Sequence, residues 1–142
     1  MGRFRFLEEI ALADCAVDVT GATLDDLFDT AALALTEMMV DPATVPIAIT
    51  RRISLEASRL DLLLFDWLSE MIFRKDRDAE VFVRTGVRVR GTGPYHLEAR
   101  LEGGAIVPGR TIRRADAKGV TLHELVVEPT PGGWRARFVV DL

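Results

Sequence analysis

Thr23-Leu24-Asp25-Asp26-Leu27-Phe28-Asp29-Thr30-Ala31-Ala32-Leu33-Ala34-Leu35-Thr36-Glu37-Met38 carries the clearest helical period in the chain. Leu24, Leu27, Phe28, Ala31, Leu35 and Met38 recur at spacings of three and four, which makes one buried stripe. Thr23 is suited to cap the first turn, and Asp25 and Asp26 there are favoured by the helix dipole. Asp41-Pro42 ends the pattern, because proline disfavours helical geometry in the residue before it. The spacing predicts a helix over 23–39.

A second helical period runs from Leu60 through Leu63, Leu64, Trp67, Leu68, Met71 and Ile72. Ser58 is the expected cap. Leu62 and Phe65 widen the apolar arc, so this helix, near 59–74, is expected to be central. Around the two helices the period is two. Phe4 and Phe6 alternate with Arg3 and Arg5. Cys15, Val17 and Val19 alternate with Asp14, Ala16, Asp18 and Thr20, and Gly21 ends that run. Pro46 to Leu55 reads as a strand, as do Glu80 to Val89 and His96 to Leu101. Gly91-Thr92-Gly93-Pro94 and Gly103-Gly104 read as turns. Residues 105–117 read as a basic loop with Arg110, Arg113 and Arg114. Val120 to Glu128 and Trp134 to Asp141 form the final hairpin, with Pro129-Thr130-Pro131-Gly132-Gly133 as its turn. Two amphipathic helices among six to eight strands predict a single α+β domain over 1–142, with helices packed on a mainly antiparallel or mixed sheet.

The 142 residues suit one domain, and 49% apolar with 28% charged residues is an ordinary globular balance. A net charge of −4 argues against a general nucleic-acid coat but leaves room for a local basic patch. No apolar run is long enough to span a membrane. Charges occupy the start, where a secretory signal needs an apolar core. A lone cysteine, Cys15, excludes a disulfide framework. A reducing cytoplasm is the expected location. Asn and Gln are absent, and Lys75 and Lys118 are the only lysines among 18 basic residues.

Phosphate-binding glycine loops, nucleophile elbows and zinc-protease motifs are missing. His96 and His123 fall in different predicted strands, which disfavours a histidine-based triad. Carboxylates remain. Asp14 interrupts an apolar stretch, and Asp141 is penultimate. If the first and last strands are neighbours, Asp14 and Asp141 meet on one polar side, next to the Leu142 carboxylate. Oxygen donors of that kind suit Ca²⁺, Mg²⁺ or Mn²⁺ rather than Zn²⁺. The plainer alternative on these residues is that Asp14 makes a turn and Asp141 solubilises the end. The stretch from Arg110 to Lys118 could likewise touch RNA phosphates or an acidic protein surface, or simply be solvated. A metal-dependent hydrolase would need a base and a nucleophile, and neither can be identified.

The order of these segments resembles the archease family over nearly the full length. Ala13-Asp14 with Val17 and Gly21 resembles an early His-Thr-Ala-Asp segment, with Ala11-Leu12 where the family has His-Thr. Thr23 to Leu35 and Leu62 to Met71 resemble its two helices. Lys118-Gly119-Val120-Thr121-Leu122-His123 resembles a late Lys-Ala-Val-Thr-x-His segment, and Gly132-Gly133-Trp134 with Val139-Val140-Asp141-Leu142 resembles its C-terminal end. The resemblance implies a non-catalytic activator of the RtcB-type, GTP-dependent tRNA-splicing RNA ligase, promoting ligase guanylylation and turnover. It also implies, as the other reading, a chaperone or modulator of a tRNA methyltransferase. In either case RNA contact is expected to be indirect or weak. The resemblance places a divalent cation, in most cases calcium, on Asp14, Asp141 and Leu142, with Lys118 as a partner contact.

Overall fold

The computed structural model describes residues 2–7 and 14–142. Ala11, Leu12 and Ala13 lie outside the described residues. In chain order the elements are β1 (Arg3–Phe6), β2 (Asp14–Gly21), α1 (Leu24–Met39), β3 (Ile49–Ala57), α2 (Leu60–Asp78), β4 (Glu80–Gly91), β5 (Tyr95–Ala105), β6 (Gly119–Val120), β7 (Val126–Thr130) and β8 (Gly133–Asp141). The α+β class holds. The strands form two antiparallel sheets rather than one. The five-stranded sheet runs β1-β2-β8-β6, with β7 also on β8, and the three-stranded sheet runs β3-β5-β4. A single apolar cluster draws on both helices and both sheets.

Local chemistry explains the helix ends. Thr23 Oγ1 accepts the Asp26 N–H at 3.1 Å. The chain turns extended at Val40, and Asp41 caps a short 3₁₀ turn over Pro42–Thr44. The cap residue of α2 is Arg59, not Ser58, and its side chain makes no capping bond. Asp61 instead takes the Arg59 guanidinium and the Leu62 N–H. The helix also runs past the predicted end at 74, closing on a left-handed Ala79 with φ 54°. The apolar stripe stops at Ile72, but Lys75 continues the buried face. A charge hid that turn from the hydrophobic pattern. Trp67 is fully buried, and its indole N–H donates to the Phe28 carbonyl at 2.9 Å, tying α2 to α1.

Helix α1 also closes a sheet edge. Asp25 Oδ1 accepts the Val89 N–H at 2.8 Å, and the Thr36 hydroxyl donates to the Phe82 carbonyl at 2.7 Å. Asp29 accepts the Thr85 hydroxyl at 2.8 Å. Helix side chains thus stand in for a missing strand along β4, where an open edge would invite pairing with another chain.

Two strand assignments differ from expectation. Gly103 and Gly104 do not turn the chain; they sit inside β5, opposite Ile49 and Val81. A Cβ on Gly103 would lie 1.9 Å from the Val81 carbonyl oxygen, so glycine is there for close backbone approach at the β4 bulge. The expected strand from Val120 to Glu128 is two strands, β6 and β7, both antiparallel to β8. Between them the chain leaves the sheet, with Glu124 at φ 55° and Leu122 64% exposed. Alternation cannot reveal such an excursion, because Leu122 keeps the apolar parity of a strand position.

Candidate functional site

Strands β2 and β8 pair antiparallel, and the register sets Asp14 opposite Asp141. Opposed residues in such a pair have Cα atoms about 4.5–5.5 Å apart and side chains on the same face. The sequence expectation that these two carboxylates are brought together is met. On the far side of Asp141 lies Gly119 of β6. Its position is open: a Cβ there would meet nothing within 4 Å. Asp141 is exposed and Asp14 half-buried. Leu142 packs against the apolar core, which anchors the end of the chain beside them. Thr121 Oγ1 is buried without a hydrogen-bond partner among the described residues. Its N–H extends the β6–β8 ladder to the Val139 carbonyl at 2.9 Å, so alternation puts its side chain on the Asp141 face. Among the described residues no three His, Cys, Asp or Glu side chains gather to hold a metal. The arrangement is two carboxylates, an open space and an unsatisfied hydroxyl.

Lys118 completes this corner. Its N–H donates to the Asp141 carbonyl at 2.8 Å, and its side chain is exposed. What holds the preceding residues is Lys75, which the sequence reading passed over. Its side chain is 4% exposed, and Nζ reaches Asp116 Oδ1 at 2.6 Å and Asp76 Oδ1 at 2.9 Å. The third partner is the Ala117 carbonyl at 2.7 Å. An ammonium has three N–H donors, and here each has an oxygen. Burial works against the charged form of Lys75, and the carboxylates of Asp116 and Asp76 more than offset it, so its pKa lies above the ordinary lysine range. The two lysines of this arginine-rich chain therefore meet at one place. One is buried and fixes residues 116–117; the other follows immediately and faces solvent. The rarity of lysine, two among 18 basic residues, was the available signal.

On the same face of β8, four and six residues from Asp141, stand Arg137 and Arg135. Arg137 forks onto Asp18 at 2.9 and 3.2 Å, and Arg135 pairs with Glu128. The Arg137 hydrogen bond holds the Asp18 carboxyl below its usual range. Among the described residues no ion pair reaches the opposed aspartates at the end of the β2–β8 ladder.

The basic loop is less free than its composition implies. Arg114 bonds the Glu37 carbonyl and carboxylate at 2.8 and 2.9 Å. Asp116 belongs to Lys75. Arg113 bridges Val40 through the backbone. His123 lies on the exposed excursion after β6, not in a strand, and sits 3.7 Å from Glu124. His96 is on β5, 3.3 Å from Glu56. His96 is in the three-stranded sheet and His123 on a loop beside the other sheet, and no interaction joins the two among the described residues.

Asp29 is a second group that the apolar stripe concealed; its spacing of four from Asp25 was the signal. Desolvation raises its pKa to about 6, the Thr85 hydroxyl working in the opposite direction and the charges of Asp25 and Asp26 adding to the rise. A folded-state pKa above the unfolded value means that the native state holds the proton more tightly. Stability therefore falls as pH climbs from about 4 to about 6, and stays at the lower level above that. Asp29→Asn keeps an acceptor for Thr85 and removes the charge. It is expected to raise the melting temperature at pH 7.5, with the gain disappearing below pH 4. Equal differences at both pH values, measured by thermal denaturation, would sink this assignment.

Comparison with known proteins agrees with this architecture. Residues 4–142 match the model of the Archease protein family (MTH1598/TM1083). The chain is 32% identical to Protein archease of Methanosarcina mazei over 142 residues, covering 99% of this chain and 96% of that protein. It is 33% identical to Protein archease of Thermococcus kodakarensis over 132 residues, covering 92% and 93%. The solution structure of Methanobacterium thermoautotrophicum protein 1598 superposes with a TM-score of 0.80 at 31% identity, over 98% of both chains. The crystal structure of an archease from Thermotoga maritima, described as a possible chaperone, shares the fold at 14% identity with a TM-score of 0.61, over 96% of this chain and 94% of that one. A family match over residues 4–142 and relatives above 30% identity over nearly the whole length agree, and the chain belongs to the archease protein family.

Proposed function

We propose that this protein is a non-catalytic activator of an RtcB-type RNA ligase, promoting guanylylation of the ligase and its repeated turnover. The observation that supports this reading is the opposition of Asp14 and Asp141 at an exposed corner, with Lys118 attached to Asp141 through the backbone. Like charges directly opposed on paired strands are destabilising, so a structural role alone gives no reason for the pair. A divalent cation removes the penalty. Asp14, Asp141 and the Leu142 carboxylate would hold it. The open position at Gly119 leaves room, and the Thr121 hydroxyl is an unused oxygen nearby. All these donors are oxygen, which fits Ca²⁺, with Mg²⁺ or Mn²⁺ as weaker fits. The cation would supply charge compensation and a fixed carboxylate geometry, and Lys118 would present a positive contact to the partner.

The Thermotoga structure's description as an archease and possible chaperone supports the coarser part of this reading, that the protein acts on another protein. The test is formation of the covalent guanylate–ligase adduct from labelled GTP, with and without this protein. Faster adduct formation and more than one ligation per ligase molecule are expected. The protein alone, with GTP, metal and RNA, is expected to form no adduct and join no ends. A ligase unaffected at saturating protein would overturn the reading. Co-purification with a tRNA methyltransferase, whose stability then depends on this protein, would put the chaperone reading in its place.

A further inference from the structure

The three-stranded sheet buries one face and exposes the other. Leu97, Leu101 and Val87 point into the core. The opposite parity faces solvent, and the strand registers line its residues up in rows. Arg52, Arg100 and Gly86 form one row across β3, β5 and β4, with Ser54, Glu98 and Arg88 in the next. Beyond these rows lie Glu56, His96 and Arg90 on one side, and Thr50, Glu102 and Arg84 on the other. That face carries five arginines and three glutamates, an excess of two positive charges on a chain whose net charge is −4.

The pairing within the face is uneven. Glu102 lies 3.3 Å from Arg84 and 3.6 Å from Arg100, and Glu56 is beside His96. Among the described residues Arg52, Arg88 and Arg90 have no carboxylate within 4 Å. Between them is a shallow hollow of about 740 Å³, lined on the sheet by Arg52, Arg88, Arg100, Ser54 and Glu98, with Asp25 and Asp29 of α1 at its rim. Gly86 makes the hollow: a side chain there would project into open space, and none is present. The two acids at its rim each accept a hydrogen bond, Asp25 from the Val89 N–H and Asp29 from the Thr85 hydroxyl, and lie toward α1 rather than among the arginines.

We propose that this hollow and its arginines bind the phosphate backbone of a single-stranded nucleic acid, without base preference. Guanidinium forks match phosphate oxygens two at a time, and arginine is used here to the exclusion of lysine. The site is an open trough crossing three strands, which suits an extended polyanion rather than an enclosed small ligand. No Phe, Tyr or Trp shares the face, so bases have no stacking platform and the contact is with phosphates alone. This surface is on a different sheet from the Asp14–Asp141 corner, and the inference does not depend on the ligase reading.

The probe is a fluorescein-labelled single-stranded RNA 12-mer, followed by anisotropy. Wild type is expected to bind with an affinity that falls roughly twentyfold between 50 and 200 mM salt, as release of counterions from about three phosphates requires. Arg52→Glu with Arg88→Glu should weaken binding at least tenfold and flatten the salt slope. Those residues are exposed and unpaired, so the melting temperature should hold. Asp141→Ala should leave RNA binding unchanged, which separates failure here from failure of the ligase reading. No binding by wild type at 50 mM salt, or equal binding by the double variant, would overturn the proposal. So would displacement of the RNA by an acidic peptide at equal charge concentration, because the surface would then be a protein-docking face.

Discussion

Asp14→Asn and Asp141→Ala are each expected to weaken Ca²⁺ binding at least tenfold and to abolish most of the stimulation of ligase guanylylation. The reasoning starts from the register, which opposes the two carboxylates across β2 and β8. Removing either one halves the side-chain charge that a cation would neutralise. Even partners that merely support a metal's ligands commonly cost 10–100-fold when lost, so loss of a ligand should cost no less. The fold should survive. Asp141 is exposed at a strand end, and its backbone bond to Lys118 does not involve the side chain. Removing one of two opposed like charges should leave the melting temperature in metal-free buffer unchanged or slightly raised. Ca²⁺ should raise the melting temperature of wild type, since a ligand of the native state stabilises it by mass action, and should do so far less in either variant. Isothermal titration, thermal melts with and without Ca²⁺, and adduct formation make a complete set. Wild-type stimulation by both variants would show that the corner is not the working surface, whatever metal it binds.

Lys75→Met is expected to destabilise the domain by about 2 kcal/mol, a fall in melting temperature of roughly 6–8 °C at this chain length. Methionine keeps the length of the buried stem and removes all three donors. The Ala117 carbonyl then loses its buried partner, which is where the cost arises. Asp116 and Asp76 have side chains 64% and 57% exposed, so water takes over their solvation and limits the damage. Lys75→Arg should not rescue, because a planar fork cannot place three donors on three oxygens around one point. The more informative effect is local. Residues 116–117 lead directly into Lys118 and Gly119, the neighbours of Asp141. Freed from Lys75, they should hold that corner less firmly. Ca²⁺ affinity should drop several-fold at a temperature well below the melting transition, where global unfolding contributes nothing. An unchanged Ca²⁺ affinity alongside a lowered melting temperature would restrict Lys75 to a structural role.

Sequence alone determined the elements whose signals are local. The cap at Thr23 and the stripe from Leu24 to Met38 need only the period of a helix and the geometry of its first turn. The parity of β8 separates Ala136, Phe138 and Val140 from Arg135, Arg137 and Asp141 without any reference to neighbours. Asp14 and Asp141 stood out as carboxylates of matching parity, and a resemblance over the whole chain reinforced them. The tertiary structure decided what lies opposite what. Nothing local states that Gly103 meets Phe82, that the chain leaves the sheet between Val120 and Val126, or that the strands divide into two sheets. Lys75 reads as the polar end of a helix until the Ala117 carbonyl and two carboxylates surround it. The arginines of β3, β4 and β5 are scattered over 49 positions of sequence, from Arg52 to Arg100, and become one surface only when three strands pair in register. Period and capping are set within a few bonds, so the chain displays them directly. Register, burial of a charge and the sharing of a face are set by contacts between distant segments, and those exist only once the core has formed.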